Sequence, residues 1–257
     1  MSFALITGAS KGIGKSIAEQ LASRRINLLL VARSEDLLRE LATSLASQYN
    51  ITADYLCADL AEEGAAEKIL NWCVEKDYHV SILINNAGYG LSGSFEKYAV
   101  GENLDMMKVN MLTLVELCQV FLPLLRTEKQ SYILNIASSA AYQAIPNLSV
   151  YAATKAFVVR FSRGLRQELR KTPVSVTCIS PGSTDTDFAK RAKIGIKGLK
   201  AAEKVNMTPD QVAKVAIQAM FSKKPEVIVG AINKVGAFLS WILPQSWIER
   251  TTMKIYE

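Results

Sequence analysis

Tyr151 and Lys155 stand four residues apart in "VYAATKA", Val150 to Ala156, among small residues. On a helix that spacing puts both side chains on one face, one turn apart. A phenol is a poor proton donor to a ketone at neutral pH, because its ordinary pKa is about 10. A neighbouring ammonium favours the phenolate and so strengthens the acid. Taken alone, the pair reads as readily as a packed tyrosine beside a solvated lysine. Its company decides between the two.

"TGASKGIG", Thr7 to Gly14, follows an apolar run directly and opens a helix-length segment. Gly8 permits a tight turn, while Gly12 and Gly14 let a diphosphate and a neighbouring strand approach the backbone. The helix N-terminus offers N–H groups to phosphate. The spacing departs from G-x-G-x-x-G, so the turn by itself is weak evidence for a nucleotide. The second apolar run ends in "VARS", with Arg33 where dinucleotide folds place an acid for the ribose hydroxyls. A carboxylate there suits NAD. A guanidinium suits a ribose 2′-phosphate through a forked, charge-assisted contact, and Lys11 can reach the same corner.

Elements that would position these groups recur along the chain. "FALIT", "NLLLVA", "ADYLCA", "VSILIN", "SYILNIA", "VSVTCI" and "EVIVG" are continuous apolar runs, the pattern of parallel strands buried on both faces. Between them lie segments with apolar residues at turn spacing, such as Ile13, Ile17 and Leu21. Right-handed crossovers then give one α/β, doubly wound domain over residues 1–257, with no repeat or linker to divide it. Two stretches break the rhythm. Residues 187–206 are lysine-rich with Ile194, Ile196 and Leu199 interspersed, a substrate-loop candidate or an ordinary surface helix. Residues 231–257 gather Phe238, Trp241 and Trp247 near Pro244, aromatics that suit a substrate wall, a subunit interface or a membrane surface.

Composition narrows the class. Of 257 residues, 49% are apolar and 21% charged, which fits a folded soluble chain rather than a disordered one. The net charge of +6 is moderate and compatible with phosphate-rich ligands or an anionic surface. Cys57, Cys73, Cys118 and Cys178 form no C-x-x-C pair and His79 is the sole histidine, so no metal site is expected. "SFALITGAS" reads as a first buried strand rather than a leader, and a cytoplasmic location is expected, with peripheral membrane contact open. No stretch is expected to reach bilayer-spanning length; "VGAFLSWILP", Val235 to Pro244, comes nearest.

These motifs, with "NNAG" at Asn85 to Gly88 and Pro181–Gly182, resemble the classical short-chain dehydrogenase/reductase family over most of residues 3–229. The resemblance implies a Rossmann-type, mainly parallel seven-stranded sheet in a three-layer sandwich. It also implies hydride exchange between a nicotinamide and a carbonyl or secondary alcohol. The glycine turn with "ARS" looks like the NADP(H)-preferring branch. The family's tetrad matches Asn110, Ser138, Tyr151 and Lys155, with Asn110 in a proton relay on a long helix and Ser138 bonding the substrate oxygen. The resemblance assigns the cofactor to Gly8, Ser10, Lys11, Gly12, Ile13 and Gly14 of the turn, then to Arg33, with Asp59 and Leu60 at the adenine. Asn86, Ala87 and Gly88 lie behind the cofactor, Tyr151 and Lys155 at the nicotinamide ribose, and Pro181, Gly182, Thr184 and Thr186 beside the nicotinamide. Thr184 and Asp185 also suit the cap of a following helix. Specificity contacts are expected near Gly90 to Phe95, Tyr142 to Leu148 and 187–206. "VIVGAINKVGAFLSWILPQSW" departs from the glycine pair with which many members pack a tetramer, and looks more like lipid-, steroid- or acyl-handling relatives. A homo-oligomer is expected, a dimer over the common tetramer. The reading is thus a reductase of a moderately apolar ketone or acyl substrate. A nucleotide sensor or scaffold without turnover is the alternative, which binding without hydride transfer would favour. Nothing resembles a nucleic-acid recognition helix or a stacking array.

Overall fold

The computed structural model describes residues 2–184, 188, 192 and 206–256. Seven strands form one sheet: β1 (Ser2–Thr7), β2 (Asn27–Ala32), β3 (Ala53–Cys57), β4 (His79–Asn85), β5 (Ser131–Ile136), β6 (Val174–Ser180) and β7 (Glu226–Ile228). Their order is β3-β2-β1-β4-β5-β6-β7, with every neighbouring pair parallel. Each apolar run expected to be a strand is one. Burial on both faces holds for the central strands only, since β3 and β7 are edge strands and half-buried.

Helices α1 (Gly12–Ala22), α2 (Glu35–Tyr49) and α7 (Pro209–Phe221) cover one face, meeting Ala4, Ile6, Leu28, Leu30, Ile82 and Ile84. Helices α3 (Ala65–Glu75), α5 (Thr113–Thr127) and α6 (Ser149–Glu168) cover the other, meeting Phe3, Leu5, Leu29, Val31 and Leu83. The two-residue alternation along each strand sends successive side chains to opposite layers. Phe121 of α5 is fully buried, and truncating such a side chain to Ala typically costs about 3–5 kcal/mol. Thr208 starts α7 by a reciprocal cap: its Oγ1 accepts from Gln211 N at 3.2 Å, and Gln211 Oε1 accepts from Thr208 N at 3.1 Å.

Helix α4 (Val100–Met107) runs into α5 through a π turn, Lys108–Leu112. The joined helix, Val100–Thr127, has the length and apolarity of a bilayer span, contrary to the sequence expectation. Its α5 half nevertheless buries Leu114, Leu117, Phe121 and Leu125 against the sheet, as a core helix does. After β7, α8 (Ala231–Ile242) and α9 (Gln245–Tyr256) end the described chain. Strand order reverses between β1 and β4, and parallel sheets open a ligand crevice at the carboxyl ends of such neighbours.

Candidate active site

The glycine turn and the β4 end meet in that crevice. Thr7 Oγ1 accepts from the N–H groups of Asn86 and Ala87 at 3.1 and 3.2 Å, and Asn86 Nδ2 donates to the carbonyls of Thr7 and Gly8 at 2.9 and 3.1 Å. Gly8 holds φ +65°, and a Cβ there would lie 2.9 Å from the Ala87 Cα. A Cβ on Gly14 would run into the Gly8 carbonyl, so the start of α1 can sit this close to the turn only as glycine. Gly12 takes φ +54° as the first residue of α1, Lys11 precedes it in extended backbone, Ser10 is partly exposed beside it, and Ile13 packs on the core.

Arg33 and Asp59, after β2 and β3, form an ion pair at 3.6 Å, with about half of the Arg33 side chain in solvent. Asp59 Oδ1 also accepts from Ala61 N at 3.0 Å, which fixes the carboxylate. Leu60 is buried, and its carbonyl accepts from Thr113 Oγ1 at 2.6 Å. The sequence assigned Arg33 and Asp59 to separate parts of one ligand; the fold makes them partners.

Asn110 lies inside the π turn and is buried. The widened turn aims its amide at the β4 loop, where Nδ2 donates to Tyr89 O at 2.9 Å and Oδ1 accepts from Tyr89 N at 3.1 Å. Nδ2 also donates to Thr154 Oγ1 at 3.0 Å, and Thr154 Oγ1 donates to Tyr151 O at 2.7 Å. Asn110 is thus tied to the backbone of Tyr151 through Thr154. Thr7 and Thr154 were not singled out from sequence, although both stand inside quoted motifs. A Cβ on Gly88 would come within 3.0 Å of Asn110 Oδ1 and 3.2 Å of Lys155 Nζ, so these three residues converge.

Lys155 is 4% exposed, and its Nζ donates to Ile136 O at 2.9 Å. Burial lowers its pKa from the ordinary 10.5 to about 8. Cys178 behind it offsets only part of this fall, since burial raises that thiol to about 12. An ammonium carries three donors, and the bond to the Ile136 carbonyl uses one. The remainder suit the hydroxyls of a ribose. With the glycine contacts, this makes the crevice fit a nicotinamide dinucleotide.

Lys155 Nζ lies 5.9 Å from the centre of the Tyr151 ring. Tyr151 is 8% exposed, within an apolar cluster of Met106, Ala140, Ile145, Leu148 and Ala152, and Phe188 packs 5.2 Å from its ring. Ser138 follows β5, two residues beyond the carbonyl that holds Lys155; its Oγ accepts from Ala140 N at 3.1 Å and caps a 3-10 turn, Ser139–Tyr142. Ser139 N donates to Pro181 O at 2.7 Å, bringing the Pro181–Gly182 loop alongside. Thr184 Oγ1 donates to Gly182 O at 3.2 Å. Thr186, Asp185, Ile194, Ile196 and Leu199 lie outside the described residues, as does most of 187–206.

A cavity of about 590 Å³ opens beside this group. Its lining includes Tyr142, Ile145 and Pro146, from one stretch the sequence offered for specificity contacts, with Ala152 and Ala156 of α6 and Gln245 and Glu249 of α9, while Ser138, Tyr151 and Lys155 do not line it. Phe238, Trp241 and Trp247 do not line it.

A family model described as short chain dehydrogenase matches residues 2–197. An uncharacterized oxidoreductase of Staphylococcus epidermidis is 33% identical over 205 residues, covering 77% of this chain and 87% of that one. Very-long-chain 3-oxoacyl-CoA reductase-A of Danio rerio is 32% identical over 197 residues, covering 74% of this chain and 60% of its own. The solved short-chain dehydrogenase of Sphingobium yanoikuyae in complex with NADPH superposes with TM-score 0.83 at 28% identity, covering 96% and 95% of the two chains. With the glycine crevice and the Tyr151–Lys155 helix in place, these matches identify the chain as an oxidoreductase of the short-chain dehydrogenase family.

Proposed function

We propose that this protein uses NADPH to reduce a moderately apolar ketone or acyl-linked ketone, with Tyr151 as the general acid. The observation that carries the reading is the apolar enclosure of Tyr151 one helical turn from Lys155, whose burial lowers its pKa to about 8. The Danio rerio relative, named as a 3-oxoacyl-CoA reductase, supports the substrate class, and the NADPH complex of the Sphingobium yanoikuyae enzyme supports the cofactor.

Nicotinamide, when bound, supplies the hydride. Tyr151 gives its phenolic proton to the carbonyl oxygen as negative charge develops there. Lys155 steadies the resulting phenolate from one helical turn away, and Asn110 holds the Tyr151 backbone through Thr154. Ser138 Oγ donates to the same oxygen; loss of one such donor costs about 3 kcal/mol of transition-state stabilisation. Arg33, whose guanidinium is half-exposed beside Asp59, would hold the ribose 2′-phosphate of the bound cofactor. The chain acts as a single oxidoreductase domain, Thr184 and Thr186 contact the cofactor, and its working form is a homodimer.

A screen of NADPH consumption over ketones, β-ketoacyl thioesters, steroids and sugars, with Tyr151→Phe in parallel, tests the reading. Turnover should favour the apolar carbonyls and fall by about 100-fold in Tyr151→Phe, with NADPH affinity retained. Full turnover in the variant removes Tyr151 as the acid, and a preference for sugars removes the substrate class.

A further inference from the structure

Helix α8 is packed inside out. Its face toward the body is small and polar: Asn233, Ala237 and Ser240, at helical spacing, are its least exposed residues. Ser240 Oγ donates to Tyr142 O at 2.9 Å, Asn233 Nδ2 donates to Val229 O at 2.7 Å, and Gln245 Nε2 donates to Ser240 O at 2.7 Å. A Cβ on Gly182 would collide with the Asn233 amide, so the helix is seated closely on the cofactor-side loop. These bonds fix its rotation. The large apolar side chains consequently face solvent: Ile232, Val235, Phe238, Leu239, Trp241 and Ile242, with Trp241 82% exposed.

At about 100° per residue, those six side chains cover roughly half of the helix circumference. A seam built for one partner helix is narrower, an a/d stripe. The α8 face is about 18 Å long and is followed along the chain by the exposed Leu243 and Trp247. Its charge points one way. Helix α8 contains Lys234 and no acidic residue, and the whole chain carries +6. A broad apolar arc ending in tryptophan, with one lysine and no acid, suits a helix lying in a bilayer interface.

We propose that α8 seats this protein on an anionic lipid bilayer, its axis in the plane of the surface and Phe238 and Trp241 among the acyl chains. The Ser240–Tyr142 bond then connects the lipid-facing helix to the turn after Ser138. The proposal does not depend on which carbonyl is reduced.

The test is co-sedimentation of the full chain with phosphatidylcholine vesicles, with and without phosphatidylglycerol. The protein should pellet with the anionic vesicles and bind the neutral ones more weakly. Phe238→Ser/Trp241→Ser should bind at least about tenfold more weakly, since the apolar area it would bury is lost. Both residues are exposed, so the variant should keep its thermal midpoint and its NADPH affinity. Lys234→Glu should weaken binding to anionic vesicles and leave the neutral ones unchanged. The proposal is overturned if the wild-type chain stays in the supernatant with both vesicle types. It is also overturned if the double variant binds as well as wild type, or if sedimentation shows it converting a stable dimer to monomer, which would make the face a contact between copies.

Discussion

Replacing Lys155 by Met should stabilise the cofactor-free protein at pH 7 while it abolishes most turnover. The fall from 10.5 to about 8, caused by burial, corresponds to about 3 kcal/mol by which the fold disfavours the ammonium. Met fills similar volume without charge, but it leaves the Ile136 carbonyl without the Nζ donor, which costs about 1 kcal/mol. The balance is about 2 kcal/mol in favour of the variant. In a chain of this size that raises the melting temperature by roughly 4–8 °C.

The pH dependence separates this effect from ordinary repacking. Below about 8, folded and unfolded wild type both carry the proton, and the burial penalty is fully present. Between about 8 and 10.5 the unfolded chain binds a proton that the folded one does not, so wild type gains stability on the variant as pH rises. Above 10.5 the penalty is gone and only the lost hydrogen bond remains, so wild type should then be the more stable by about 1 kcal/mol. Circular-dichroism melts of both proteins at matched pH values measure the difference, and titrations shared by the two cancel. A gap that stays constant from pH 7 to 10.5, or a variant less stable at pH 7, refutes the claim that Lys155 is buried against its charge.

Three further outcomes follow from named contacts. Arg33→Ala should lower NADPH affinity about 10–100-fold and leave NADH affinity within about twofold, measured by fluorescence titration, because only the phosphorylated ribose needs the guanidinium. Gly14→Ala should weaken binding of both cofactors and lower stability by about 1–3 kcal/mol in urea melts, since its methyl group meets the fixed Gly8 carbonyl. Asn110→Ala should remove both bonds to the Tyr89 backbone and the bond to Thr154, destabilising by about 1–3 kcal/mol, and should lower kcat more than it changes the KM for NADPH.

Residues that act through local backbone were legible before any coordinates. The strands were readable because chain buried on both sides must be apolar without interruption, and the glycine turn because only glycine tolerates the approach of Gly8 to Ala87. Tyr151 and Lys155 were readable as neighbours from helical spacing, and their chemistry was read from the motifs around them. What escaped depends on pairing across the fold. Apolar residues continue through Lys108–Leu112, so nothing in the sequence announces the π turn that aims Asn110 at Tyr89. Arg33 and Asp59 read as two separate ligands because their partnership arises only when β2 and β3 align. Helix α8 meets the same limit, since the sequence left a substrate wall, a subunit interface and a membrane surface all open for its aromatics. Its run of Ile232, Val235, Leu239 and Ile242 has the spacing of a core helix, and periodicity shows that a face is apolar without showing which way it points. The direction is set elsewhere, by the Tyr142 and Val229 carbonyls that claim Ser240 and Asn233. Two hydrogen bonds worth about 1 kcal/mol each do not by themselves outweigh the burial of several large apolar side chains. An outward apolar face gains free energy where it meets a medium other than water, and binding driven by that gain is what the vesicle experiment measures.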